Sequence, residues 1–122
     1  MPIFHRSEER EFVPEGNHMT GLATASRSAE TVEVWRARME AGSATPPHQH
    51  DDEEVVVVLS GRGRPRIADQ EVAFEAGDTL VLPAGKVHQI FSETASESIA
   101  VMPRRSTIRT ATGEVMNLPW RH

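Results

Sequence analysis

"TPPHQHDDEEVVVVLSG", residues 45 to 61, sets two kinds of chemistry side by side. Val55 to Val58, followed by Leu59, form a β-branched apolar run of the kind that enters a buried sheet. Directly before it stand His48, His50 and four carboxylates, Asp51, Asp52, Glu53 and Glu54. Buried charge is costly unless something pairs with it, and a metal ion would resolve the conflict. Side chains alternate along a strand, so His48 and His50 point to one face. Glu54 has the same parity and begins the valine strand, whereas Glu53 faces the other way. Asp51, Asp52 and Glu53 therefore read as a solvated loop.

Outward from this stretch the chain reads as strands and turns. "TVEVWRARME" (31–40) alternates, with Trp35, Ala37 and Met39 on one face and Val32, Val34, Arg36 and Arg38 on the other. "SGRG" stops the valine strand, and "RPRIADQEVAF" (64–74) reads as two strands about an Asp69-Gln70 turn. "DTLVL" (78–82), "VHQIF" (87–91) and "SIAVM" (98–102) follow, with "PAG" between the first two. Glycine and proline punctuate at short intervals, and nothing helical lies between Val32 and Met102. The pattern predicts an all-β sandwich or barrel. Residues 1–30 have weak periodicity and read as an N-terminal arm available to pair with a partner subunit. Residues 31–105 form the barrel, and residues 106–122 a tail that packs on it through "NLPW".

Composition narrows the function. A chain of 122 residues is one domain. Its net charge of -5, with scattered arginines, does not suit nucleic acid. With no cysteine and no tyrosine, thiolate ligands, disulfides, thiol nucleophiles and phenolic acids are excluded. The apolar run Val55 to Leu59 is too short for a bilayer. "MPIFHRSEER" carries no apolar signal region, so no membrane partner and a cytoplasmic location are expected.

A further histidine is needed to complete a metal cage, and His88, launched from the "LPAGKV" turn, supplies it. Three imidazoles and one carboxylate suit one divalent transition ion, of Fe, Mn, Ni, Co, Cu or Zn. Four protein ligands on an octahedral ion leave positions for a substrate, which marks a catalytic type of site. Gly61, Gly77 and Gly85 read as turn geometry, and His5, His18 and His122 as surface residues.

The chain resembles the cupin family, small barrels of the double-stranded β-helix or jelly-roll type. One motif of that family reads here Gly42, "SATPP", His48, Gln49, His50, "DDE", Glu54, "VVVVLS", Gly61. The other reads Gly77, "DTLVL", Pro83, Ala84, Gly85, "KV", His88, "QIF" and Ser92, where the family has asparagine. The resemblance agrees with metal ligation by His48, His50, Glu54 and His88. It implies a metalloenzyme acting on a small organic molecule, as a dioxygenase, isomerase, decarboxylase, cyclase or lyase. The alternative is a non-catalytic binding or sensing module. Glu54 is the candidate acid–base group should it leave the metal. Strand parity predicts a pocket lined by Trp35, Met39, Val56, Val58, Ile90 and Ser92, with Ala37, Ile99 and Val101 or Met102 as further wall. Arg36, Arg38, Arg64 and Arg66 would anchor an anion only if they faced inward. Small cupins commonly pair, so a homodimer is expected.

Overall fold

The computed structural model describes residues 1–122 and contains twelve strands. They are β1 Glu11–Phe12, β2 Asn17–Ala23, β3 Val32–Met39, β4 His48–His50, β5 Glu54–Ser60, β6 Arg62–Ile67, β7 Gln70–Glu71, β8 Phe74–Glu75, β9 Thr79–Leu82, β10 His88–Ser92, β11 Ser96–Pro103 and β12 Ile108–Thr110. Helical structure is confined to short 3-10 turns at Arg6–Glu8, Ala25–Arg27 and Pro119–Arg121. No helix is long and apolar enough to cross a membrane. One antiparallel sheet runs β1-β2-β3-β11-β5-β9, and the second runs β12-β4-β10-β6-β7 with β8 also on β6. This is the all-β barrel expected from the strand pattern, in the jelly-roll form that the family resemblance implies.

The valine run forms β5, an interior strand of the first sheet between β11 and the edge strand β9. Val56 and Val58 are buried while Val55 and Val57 are half-buried, so the period of two decides which residues enter the core. Glycine ends the strand because φ is +83° at Gly61, and a Cβ there would sit 2.3 Å from the Ala95 carbonyl oxygen. The core is built from Met19, Trp35, Val56, Leu82, Ala100, Met102, Ile108 and Trp120.

Three segments differ from the sequence expectation. Residues 17–23, read as part of an arm outside the barrel, pair along β3 of the same chain from Asn17↔Met39 to Ala23↔Val34. The irregularity between Gly21 and Ala23 breaks the alternation that would have marked this strand. The hairpin after β6 turns at Ala68-Asp69, one residue early, with Ala68 at φ +55°. Its return strand breaks into β7 and β8, which pair with either end of β6 and skip Pro65, a residue with no N–H to offer a ladder. The tail beyond Pro103 also joins the second sheet, as β12 pairs with β4 from Ile108↔His50 to Thr110↔His48.

The end of the tail enters the core. Trp120 is 8% exposed and stacks edge-on against Trp35, with ring centroids 5.7 Å apart. Beside it Arg121 Nε donates to the buried Glu33 carboxylate at 2.8 Å, and the Trp35 indole N–H donates to the same oxygen at 2.7 Å. Gly21 makes room for this turn, since a Cβ there would lie 2.2 Å from the Trp120 carbonyl oxygen.

Candidate metal centre

β4 and β10 are neighbours in the second sheet, and His88 pairs directly with His48. Two residues further along β4, His50 turns its ring to the same face. The Gly85 N–H donates to the His50 carbonyl at 2.8 Å, which ties the turn before His88 to the His-x-His strand. Ring centroids are 4.2 Å apart for His48 and His88, 5.2 Å for His50 and His88, and 5.3 Å for His48 and His50. One ligand nitrogen from each ring lies within 4.8 Å of the others. Glu54 reaches in from the other sheet, its Oε1 3.6 Å from His50 Nε2 and 3.5 Å from His88 Nε2.

These groups are arranged as a cation would require. Both ring nitrogens of His50 and of His88 are buried without a hydrogen-bond partner. An unsatisfied buried polar atom costs about 1–3 kcal/mol, and the Nε2 atoms of His50 and His88, both beside Glu54 Oε1, are the two that one ion would satisfy. The Pro46 carbonyl accepts from His48 Nδ1 at 2.7 Å, which holds the proton there and leaves Nε2 free to ligate. Burial, with the neighbouring imidazoles, pushes His50 and His88 down to about 3, and burial lowers His48 as well. The rings are therefore neutral, the form that binds metal. Burial pushes the Glu54 carboxyl up to about 8, so a cation is what would hold it ionised at neutral pH. The residues fit a divalent transition ion, with His48, His50, His88 and Glu54 to hold it.

His48, Glu54 and His88 also line a cavity between the sheets with a volume of about 70 Å³. Most of its remaining wall is apolar and includes Trp35, Met39, Val56, Val58 and Ile90 from the sequence expectation, with Ala37. This volume is below the roughly 300–1,000 Å³ of most ligand sites. Met19 and Met39 both face it, and methionine is the side chain that most readily repacks around a guest.

Ser92 does not face the cavity. It is buried, donates to the Thr94 carbonyl at 2.6 Å and lies 2.6 Å from the Ser96 hydroxyl, so it ties down the β10–β11 connection. Ile99 and Val101 also point away, because the alternation of β11 turns Ser98 and Ala100 to the cavity and buries Met102 in the core. Apolar residues on both faces of that strand hid its parity. The four arginines face outward onto carboxylates: Arg36 with Glu9 and Glu97, Arg38 with Glu11, Arg64 with Glu93 and Arg66 with Glu71. Asp51 and Asp52 pair with Arg109 and Arg105 at the surface. His18 is held between Glu11 and Glu40 at 2.9 Å each, and His5 and His122 are exposed. Asn17, Met19, Thr45, Phe74, Leu80, Ser96 and Ser98 are wall residues that sequence reasoning missed. The parity of β11 from Met102 would have found Ser98 and Ser96, but no periodicity marked Asn17.

The sequence profile described as "Cupin domain" matches residues 35–102. Auxin-binding protein 4 of Zea mays is 29% identical over 107 residues, which cover 80% of this chain and 52% of that protein. Auxin-binding protein 1 of Arabidopsis thaliana is 32% identical over 98 residues, covering 73% and 49%. The chain spans about half the length of these curated relatives. Among solved structures, the polyketide cyclase RemF from Streptomyces resistomycificus superposes with a TM-score of 0.78, over 98% of this chain and 90% of that one. At 18% identity that likeness concerns the fold alone.

Proposed function

The chain belongs to the cupin domain family, and from that premise we propose that it is a metal-dependent enzyme acting on a small organic molecule held in the barrel cavity. The observation that carries this reading is that three of the four candidate ligands line the apolar cavity itself. His48, His50 and His88 hold the ion as neutral imidazoles, and Glu54 contributes the one negative charge. A divalent ion bound there supplies Lewis acidity beside the guest. Trp35, Val56 and Ile90 exclude water and orient an apolar body against the ligand set. Apart from the imidazoles, Glu54 is the one ionisable side chain lining the cavity, so it is the acid–base candidate only when its carboxylate leaves the ion.

A second reading, a binding module without turnover, is favoured by the shortage of separate acid–base groups and by the auxin-binding names of the curated relatives. One experiment separates the two. Protein loaded in turn with Fe, Mn, Ni, Co, Cu and Zn is screened by thermal shift against diketones, flavonoids, keto acids, sugar phosphates and auxin. Each hit is then incubated with and without dioxygen and followed by mass spectrometry. Conversion of a hit supports the enzyme. A ligand left intact under both atmospheres with every metal assigns the chain to the binding reading.

The outer face of the first sheet supports a homodimer. Val34, Val101, Val55 and Val81 lie opposite one another across β3, β11, β5 and β9, with Ile99 and Val57 beside them. Val81 is 55% exposed and Leu59 51%. An apolar row of this kind offers a second copy of the chain a surface to cover about a two-fold axis.

A further inference from the structure

Asn17 lines the cavity from β2 and is 4% exposed. Its amide NH₂ is committed to the surrounding loops, with Nδ2 3.1 Å from the Ala44 carbonyl, 3.2 Å from that of Pro14 and 3.5 Å from that of Glu15. Three carbonyls about one atom fix the orientation of the amide, because an oxygen in that place would meet only acceptors. The other atom, Oδ1, is buried and has no hydrogen-bond partner. Its neighbours on the cavity face are Met39, directly across on β3, and Met19, two residues along β2, and neither has a donor. The sheet register sets Asn17 far from the ligand set. Asn17 pairs with Met39, whereas Trp35, four residues back along β3, pairs with Ala100, which pairs with Val56, two residues from Glu54.

We propose that Asn17 Oδ1 is a specificity determinant that accepts a hydrogen bond from the end of the substrate remote from the metal ligands. This rests on the metal-and-cavity reading above and names the substrate class within it. The guest is elongated and largely apolar, with an oxygen that ligates the ion at one end and an O–H or N–H donor at the other. An acceptor that cannot rotate, in a cavity lined mostly by apolar side chains, binds the donor-bearing molecule and rejects the analogue that lacks the donor. The preference arises because Oδ1 has no partner in the unliganded protein, so only the donor-bearing guest gains a hydrogen bond there.

The test uses full-length protein loaded with Co²⁺ and three ligand series, each running from hexanoate to dodecanoate: ω-hydroxyalkanoates, their methyl ethers and the plain alkanoates. The visible absorption of the cobalt reports arrival of the carboxylate at the metal, and calorimetry gives the affinity. At the best chain length the hydroxyl compound should bind about tenfold or more tighter than its methyl ether and the alkanoate. In Asn17→Leu the three should bind within about twofold of one another, with the cobalt response retained. Because Thr45, Ser96 and Ser98 also present hydroxyls to the cavity, loss of the preference in the variant is what assigns it to Asn17, and Asn17→Ser serves if Asn17→Leu fails to fold. A cobalt response with no hydroxyl preference at any length overturns the role of Asn17 alone. No cobalt response and no binding by any member overturns the metal-and-cavity reading and this inference with it.

Discussion

Loading the metal at neutral pH should expel one proton per ion, and that proton should come from Glu54. Burial raises this carboxyl from 4.5 to about 8, so at pH 7 about nine in ten molecules of chelator-stripped protein carry it protonated. His50 and His88, at about 3, are already neutral and have no proton to give, and burial pushes His48 the same way. A ligating carboxylate must be ionised, so uptake at pH 7 releases about 0.9 proton per ion. Below pH 8 the affinity should fall about tenfold for each unit of acidification, and above it the dependence should flatten. The assay is titration calorimetry of Co²⁺ or Zn²⁺ into stripped protein at pH 7, in buffers of different ionisation enthalpy. The slope of observed heat against buffer enthalpy counts protons. Glu54→Gln keeps the shape and carries no titratable proton, so its slope should be near zero and its affinity weaker. A wild-type slope near zero or near two, or an unchanged slope in Glu54→Gln, would refute the reasoning.

The same shifts set the acid and base limits of the stripped protein. Because the folded pKa of Glu54 lies above its unfolded value, the folded chain binds the extra proton between about pH 4.5 and 8 and loses stability as pH rises through that window. His50 and His88 are depressed from 6.5, so the unfolded chain binds the extra protons and stability falls as pH drops below 6.5. Melting temperature in chelator should peak at about pH 6.5, and a flat profile from pH 5 to 8 would contradict both shifts. His48→Ala with His50→Ala should abolish metal content by elemental analysis while the far-ultraviolet dichroism of the barrel persists; full occupancy in that variant would defeat the ligand assignment. Gly21→Ala forces a Cβ to 2.2 Å from the Trp120 carbonyl oxygen and should cost about 2 kcal/mol, or roughly 5–10 °C in melting temperature. Light scattering should give twice the chain mass of 13.5 kDa, and Val101→Lys, in the middle of the outer valine row, should return it to one.

The parts of the molecule legible in sequence are those where local chemistry and strand period agree. The valine run and the parity of Trp35, Ala37 and Met39 predicted their inward faces, and the spacing of His48, His50, Glu54 and His88 anticipated which side chains meet. β2 was illegible because its inward residues are a polar asparagine, a methionine and a glycine that admits the Trp120 turn, so no apolar alternation announces it. Ser92 misled for a different reason. Its parity was right, but its hydroxyl is consumed by Thr94 and Ser96, and period alone cannot tell a wall residue from one that stitches a loop. Glu33 shares the parity of Trp35 and is buried, yet nothing local shows that its counter-charge is Arg121, a contact between residues 88 positions apart.

That contact also bears on how the protein is made. A ribosome delivers Glu33 and Trp35 early, while Trp120 and Arg121 emerge some 88 residues later. Until then the nascent chain has a carboxylate facing its core with no counter-ion, and a cavity wall without the indole that backs it. β12, which flanks His-x-His, is equally late. Long-range closure of this kind is slow and leaves strand edges open while it waits. The barrel is therefore expected to acquire its metal only after residues 119–121 have been made, so a translation arrest in that short stretch would yield a chain with every ligand present and no finished site to hold them.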